Sequence, residues 1–363
     1  MNSYTVLGLM SGTSLDGLDM SIVHFKYEQA KWHYAFGPCY TKVYDDSWHK
    51  RLQIFNATKQ QVLNANELLC LERDYSLYLA SSIDSFLEAR KINKSSVHFI
   101  ASHGHTLFHE PQKGITKQIG LGSTLSSCTE ISCYSDFRSA DVALGGQGAP
   151  LVPIGDKLLF SDYDACINLG GFANISFMQR AENLAFDICP LNLLLNEQAS
   201  KLGYSYDSEG QLARSGEIHL PLLQKLNALP FYAQNAPKSL GAEWIITHIQ
   251  PILNSYTISE KDFLATLTEH MADQISKNLN AFDAQKALIT GGGAYNKYLL
   301  ERIEHKAKAA LVIPDAQTIE FKEALIFAFL AVLAHRKEVN VLSSITGASR
   351  DHSAGVYHTG NHS

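Results

Sequence analysis

The sequence predicts an α/β protein of two lobes, on three observations. A short apolar strand at residues 4–10 runs into a turn of small and polar residues, Ser11 to Gly17, and out into a second strand from Leu18. The same order recurs later, as a strand at 165–169, the pair Gly170-Gly171, and a strand at 172–177. In both halves strand-like runs then alternate with helical periodicity. A chain of 363 residues is long enough to bury two cores.

Taken in order, apolar–polar alternation predicts strands at 4–10, 18–27 and 32–43. A helix is expected at 45–55. A longer one is expected at 66–90, where Leu68, Leu71, Tyr75, Tyr78, Leu79, Ile83, Phe86 and Leu87 recur near helical spacing. Residues 97–101 read as a short buried strand that opens into a polar loop at 102–110. A strand at 130–135 leads into Asp136-Phe137-Arg138. The Gly-rich segment 145–150 is expected to be a hinge or domain junction. The second half predicts strands at 165–169, 172–177 and 183–186, the last ending at Asp187. Helices are expected at 190–202, 218–226, 242–252 and 259–280. A strand at 286–290 then ends in Gly291-Gly292-Gly293, with a helix beyond. The last long helix is expected at 321–336, its apolar stripe serving as core. The expected domains are 1–140, with 341–363 packed on it, and 141–340.

Composition narrows the function classes. The chain is 45% apolar and 18% charged, as in soluble globular proteins. Its net charge of −6 and lack of a long basic cluster argue against nucleic acid or an anionic membrane as main partner. A phosphate site in such a chain must rest on backbone N–H groups, helix ends and a metal ion. The N-terminus shows no basic region followed by an apolar core, and no apolar run reaches the length of a membrane span. The six cysteines form no CxxC pair and read as reduced thiols.

The turn after the first strand carries the clearest chemistry. Small residues let a backbone approach a ligand, and hydroxyls with free N–H groups form an anion-binding concavity. Asp16 would hold a metal ion beside that anion, through water if the ion is Mg²⁺. No Gly-Lys-Ser/Thr follows, so this is not a Walker loop. An ordinary hairpin turn is the plainer alternative, although such turns are usually shorter. The triple-Gly turn at 291–293 would let a nucleotide base or ribose lie against bare backbone.

Together these segments resemble the anhydro-N-acetylmuramic acid kinases, of the actin-like, sugar-kinase and heat-shock ATPase superfamily. The resemblance covers almost the whole chain. It rests on residues 8–17, Ser102-His103-Gly104-His105-Thr106, Asp136-Phe137-Arg138, Asp141-Val142-Ala143 and 145–153. It continues through 168–174, Phe186-Asp187, Pro190, Asn192, Pro237-Lys238-Ser239, 291–296, Glu323-Ala324 and Thr346-Gly347-Ala348. It implies a two-lobed actin-like ATPase (ribonuclease H-like) fold with nucleotide and sugar in the cleft between lobes. The implied enzyme uses ATP and Mg²⁺ to hydrolyse the internal ether of 1,6-anhydro-N-acetylmuramic acid and phosphorylate O6, giving N-acetylmuramic acid 6-phosphate in cell-wall recycling. It implies a cytoplasmic homodimer.

The resemblance also assigns roles. Asp187 is the expected base for the attacking water. Its plainer reading is an N-cap of the helix at 190. His103, His105, Thr106, Asp136, Arg138, Asn192, Lys238 and Glu323 are the expected sugar contacts. Ser11, Gly12, Thr13, Ser14, Asp16, Gly17, Asp19, Asn168, Gly170, Gly171, Asn174, Gly291, Gly292, Gly293 and Asn296 are the expected nucleotide contacts, with Asp16 toward the metal. The fork of Arg138 suits the lactyl carboxylate of muramic acid, and a salt bridge to Asp141 is its alternative. Glu323 reads either as a first-turn helix acid or as a group facing the sugar. Lys238 reads as a substrate contact or as a solvated surface lysine. A metal site at His103, His105 and His109 is disfavoured, because Gly104 breaks the strand pattern and no carboxylate is paired at clear spacing.

Two departures from the family pattern stand out. Where the family usually has Asp-x-Gly-Pro-Gly-Asn, this chain has Asp187-Ile188-Cys189-Pro190-Leu191-Asn192. The larger side chains are expected to narrow the loop or exclude φ > 0. The usual Gln of the sugar loop is His105. Two other functions stay open from the residues alone: a kinase for a different amino sugar without ring opening, and a non-catalytic switch driven by ATP binding.

Overall fold

The computed structural model describes residues 2–12, 15–53, 64–177 and 183–361. They form two compact units, 1–159 with 321–363, and 160–320. The first unit opens with β1 (Ser3–Ser11), β2 (Gly17–Glu28), β3 (Lys31–Val43), α1 (Asp46–Gln53) and α2 (Ala65–Ala89). It continues with β4 (Phe99–Glu110), β5 (Ile115–Ile119), α3 (Gly122–Thr129), β6 (Cys133–Ser135), α4 (Ser139–Ala143) and α5 (Pro153–Leu159). The second unit contains β7 (Ala165–Leu169), β8 (Phe172–Phe177), β9 (Leu184–Pro190), α6 (Asn192–Lys201), α7 (Gln211–Arg214) and α8 (Leu220–Asn227). Then come α9 (Ala242–Trp244), α10 (Gln250–Leu253), α11 (Glu260–Ala281), β10 (Lys286–Thr290), α12 (Lys297–Glu304) and β11 (Ala310–Val312). The long helix α13 (Ala316–His335) carries the chain back into the first unit, which ends with α14 (Ser343–Thr346) and β12 (Val356–His358).

The two sheets repeat one plan. In the first unit the order is β12-β6-β4-β1-β2-β3, with β5 added on β4. In the second it is β11-β10-β7-β8-β9. Each begins with three antiparallel strands, β1-β2-β3 or β7-β8-β9. Each then adds parallel strands beside the first, β4 and β6 or β10 and β11. This duplicated α/β topology is the fold class expected from the sequence, that of the actin-like ATPases.

Local chemistry accounts for the elements that hold the site. The capping box expected of an Asn-x-x-Glu start opens α2: Asn64 accepts from the Glu67 N–H, and the Glu67 carboxylate accepts from the Asn64 N–H. One side of the first sheet packs Leu7, Leu9 and Ile100 with Tyr75, Leu79 and Ile83 of α2. α13 is apolar around most of its circumference, and Leu325 through Leu333 are all buried. A Cβ on Gly8 of β1 would run into the backbone carbonyl of Ala324, so the missing side chain lets strand and helix touch backbone to backbone. In the second unit, β7, β8 and β10 share a core with α6, α8, α11 and α12.

Several expectations are corrected. Residues 102–110 are not a polar loop but the second half of β4, because β1 pairs with Ser102 and His105 and β5 pairs antiparallel with 105–110, which supplies backbone partners. The last long helix starts at Ala316, so Glu323 lies in its third turn rather than its first. β9 runs past Asp187 to Pro190. The units meet at 159/160 and 320/321, where 140/141 and 340/341 were expected. The cause is twofold: α5 and α13 pack in the first unit, with Gly155 lying against Ile326, and a buried ion pair joins Asp156 to Lys322 at 2.8 Å. The Gly-rich segment 145–150 therefore lies within one unit and is not the junction. Among the described residues, no helix is long and apolar enough to cross a membrane.

Candidate active site

In the first unit the polar turn joins β1 to β2. Thr13 and Ser14 lie outside the described residues. Asp16 is exposed, Gly12 is half-buried, and Leu15 tucks into the core with φ +61°. Ser11 is buried, and its hydroxyl is already engaged with Tyr44 Oη (2.7 Å) and His105 Nδ1 (2.8 Å). Tyr44 passes the chain on to Tyr75 (2.8 Å). Asp19 accepts from Thr41 Oγ1 at 2.6 Å. A Cβ on Gly17 would press on the Lys42 carbonyl, so this glycine serves strand packing. Ser11 and Asp19 thus shape the turn, whereas Asp16 presents an accessible carboxylate.

β4 brings His103, His105 and Thr106 beside this turn, since Ser11 pairs with His105 in the parallel ladder. Gly104 at φ +74° breaks the strand's two-residue period. The two rings consequently meet different helices. His103 packs on Phe327 of α13 with centroids 4.6 Å apart, and His105 faces Tyr75 of α2 at 6.1 Å. Burial holds both imidazoles below their ordinary pKa, His105 at about 4. No group of three or more metal-ligating side chains occurs among the described residues. Thr106 accepts from Gln118 at 3.3 Å.

Asp136 sits at φ +54°, a left-handed conformation that Asp tolerates, and its Oδ1 accepts from the Ser139 N–H. Arg138 follows it. Its Nε donates to His103 Nε2 (3.0 Å) and its Nη1 to the Gly148 carbonyl (2.6 Å). The salt bridge to Asp141 is not formed. Asp141, fully buried, instead accepts from the Gly148 N–H (2.6 Å) and from Thr346 Oγ1 (2.7 Å), and it fills the space a Gly146 side chain would need. Burial lowers the Arg138 pKa to about 10, against the charges of Glu323 and Asp141. Glu323 is open to solvent, yet the protein crowded around it raises its pKa, with Arg138 and Lys322 opposing. His103 and Asp136 also line a polar cavity of about 220 Å³ with Lys117, Gln118, Ser123 and His358. A larger concavity, about 330 Å³, surrounds Ser3, Tyr4 and His98 at the opposite end of β1 and contains none of these residues.

In the second unit the register puts four residues in one row. Thr290 of β10 pairs with Asn168 of β7, Asn168 with Asn174 of β8, and Asn174 with Asp187 of β9. Cross-strand partners share a face, so Asp187 stands in line with the two asparagines. Asp187 is half-buried and is no N-cap, since the residue before α6 is Leu191. Its Oδ2 accepts from the Leu240 N–H (2.8 Å), and its own N–H donates to the Lys238 carbonyl (3.0 Å). Burial raises its pKa, with the Leu240 N–H opposing. The Lys238 ammonium is not freely solvated. It donates to the Phe231 carbonyl (3.1 Å) and lies 4.6 Å from the Phe231 ring centroid, and burial lowers its pKa.

Both glycine turns of this unit close on Asn168. A Cβ on Gly291 (φ +81°) would lie 2.5 Å from Asn168 Oδ1, and one on Gly170 would lie 3.2 Å from Asn168 Nδ2. Gly293 packs against Leu169, and Gly171 against Leu193. Gly292 has open space, with only Asn192 Nδ2 nearby at 3.8 Å. Asn192 donates to the Leu169 carbonyl (3.0 Å), and Asn296 caps α12 through the Leu299 N–H (3.0 Å). Those two side chains brace the turns. At the departures, Cys189 and Leu191 are fully buried in the core beside Ile188, and none of the three has positive φ. Leu240 is missed from the sequence, because a backbone N–H donor carries no local pattern. Thr346 and Tyr295 stand in the resembling segments without an expected role; Thr346 Oγ1 donates to Asp141 (2.7 Å), and Tyr295, half-exposed, donates to Glu320 (2.8 Å).

Residues 4–360 match the family model described as anhydro-N-acetylmuramic acid kinase. A protein of that description from Hydrogenovibrio crunogenus is 34% identical over 97% of both chains. One from Hahella chejuensis is 33% identical over 96% of this chain and 97% of its own, and one from a Sulfurovum species 33% over 97% and 98%. On this full-length similarity, the chain belongs to the anhydro-N-acetylmuramic acid kinase family.

Proposed function

We propose that this kinase couples ring opening to phosphorylation. It takes 1,6-anhydro-N-acetylmuramic acid, water and ATP to N-acetylmuramic acid 6-phosphate and ADP. The observation that carries the reading is Asp187, a carboxylate of raised pKa lined up with Asn168 and Asn174 and with one oxygen held by the Leu240 N–H. In this reading Asp187 takes a proton from water as the water oxygen bonds to the anomeric carbon. The bond from that carbon to O6 breaks, and O6 receives the γ-phosphoryl group. Arg138 meets the lactyl carboxylate, and Glu323, Asp136, His105 and Thr106 border the sugar.

The turns at 11–17 and 168–171 hold the phosphates, and the bare backbone at Gly292 receives part of the nucleoside. The exposed Asp16 fits Mg²⁺, which keeps several waters and takes one or two carboxylates together with phosphates. The ion supplies charge neutralisation when bound. A cytoplasmic homodimer completes the reading, and light scattering of the purified protein tests the dimer.

The deciding experiment is mass spectrometry of the product with Mg-ATP and 1,6-anhydro-N-acetylmuramic acid. The native protein should give a product heavier by water plus a phosphoryl group. Asp187→Asn should form it about 10²- to 10⁴-fold more slowly while remaining folded. A product heavier by phosphate alone would refute the coupled reaction.

A further inference from the structure

The two ring nitrogens of His103 are both committed, and neither is free for a ligand. Nδ1 lies 2.9 Å from the Gly104 carbonyl, an acceptor only, so Nδ1 carries the hydrogen. Nε2 is then a lone pair, and it faces Arg138 Nε at 3.0 Å. The ring is 5% exposed and rests on Phe327, which leaves it little freedom to turn. On the other side, Arg138 Nη1 is tied to the Gly148 carbonyl, whose residue is pinned by Asp141.

Among the described residues no carboxylate lies within 4 Å of the Arg138 guanidinium, and its Nη2 has no hydrogen-bond partner. This is a fixed, half-buried cation with one corner open. Burial and the neighbouring Arg138 charge both keep the imidazole neutral, which preserves its role as acceptor.

We propose that His103 is a positioning residue that does not touch the sugar: as an Nδ1–H tautomer it aims Arg138 and thereby sets the preference for a carboxylate-bearing sugar over a neutral one. The inference rests on Arg138 meeting the lactyl carboxylate. It replaces the expectation that His103 contacts the sugar directly.

The test compares the native protein with His103→Leu, which removes the acceptor, and His103→Gln, whose side-chain oxygen can replace Nε2. Binding constants are measured for 1,6-anhydro-N-acetylmuramic acid and for 1,6-anhydro-N-acetylglucosamine, which lacks the lactyl group. His103→Leu should weaken the first sugar about 10- to 100-fold, as loss of a hydrogen bond to a charged group does, and leave the second nearly unchanged. His103→Gln should recover most of that loss. Equal weakening of both sugars, or no rescue by Gln, would overturn the inference.

Nitrogen-15 spectra of the His103 ring give a check that needs no sugar. The Nδ1–H tautomer is expected, and the Nε2–H tautomer would overturn the proposal. If the native protein forms no product while the spectra show the expected tautomer, the enzymatic reading fails and the His103–Arg138 pairing stands.

Discussion

At the scale of single residues, two carboxyl groups of the proposed chemistry are moved from their ordinary protonation behaviour. Asp187 and Glu323 both have raised carboxyl pKa values, chiefly through desolvation. A base must be ionised to work, so kcat/KM should fall as the pH drops through a value above the ordinary aspartate range. A pH–rate profile checks this, and an acid limb at the usual aspartate pKa would argue against Asp187 as the desolvated base. Much of this residue set was legible in the sequence. Asp187, Arg138 and the glycine turns stand in short local patterns. The inward use of Ser11, His103, Asn192 and Asn296 was not, because nothing local says whether a polar side chain spends its hydrogen bonds on the protein or on a ligand.

At the scale of elements, the antiparallel hairpins were the most legible, since alternation and a small-residue turn occur within some twenty residues. The polar half of β4 was the least. His105 and His109 look like part of a loop until β5 supplies partners from further along the chain. Two glycines separate packing from access. Gly8→Ala forces a methyl into the Ala324 carbonyl and should destabilise the protein by about 1–3 kcal/mol, read as a lower urea midpoint. Gly292→Ala meets open space and should change stability by only about 0.5 kcal/mol, while raising the KM for ATP. Equal destabilisation by the two would show that the 291–293 turn is packed rather than open.

At the scale of the molecule, each unit buries histidines that the fold keeps neutral. His105 in the first unit and His270 in the second are both held at about 4, and His103 is also lowered. Their unfolded-state pKa is higher, so between the two values the unfolded chain binds more protons and stability falls with falling pH. The loss should amount to about 2 kcal/mol for each of His105 and His270 between pH 7 and pH 5. Urea titrations at the two pH values test it, and a pH-independent midpoint would mean these rings are not buried neutral. The two-unit plan was legible because its opening hairpin is written twice. The boundaries were not, because α5 and α13 are assigned to a unit by what they pack on, a relation that composition does not record.

The return of α13 to the first unit also bears on how the chain is made. Protein synthesis delivers residues in order, and domains usually fold as they emerge. The strands of the first unit leave the ribosome early, but the helix that covers Gly8 of β1 comes after the whole of the second unit. Residues 160–320, continuous and with a core of their own, are complete first. In the newborn chain, the half that is translated first is therefore the half that finishes last. One face of its sheet stays uncovered through the intervening stretch of translation, and that interval is when the nascent protein is most exposed to aggregation or to capture by a chaperone.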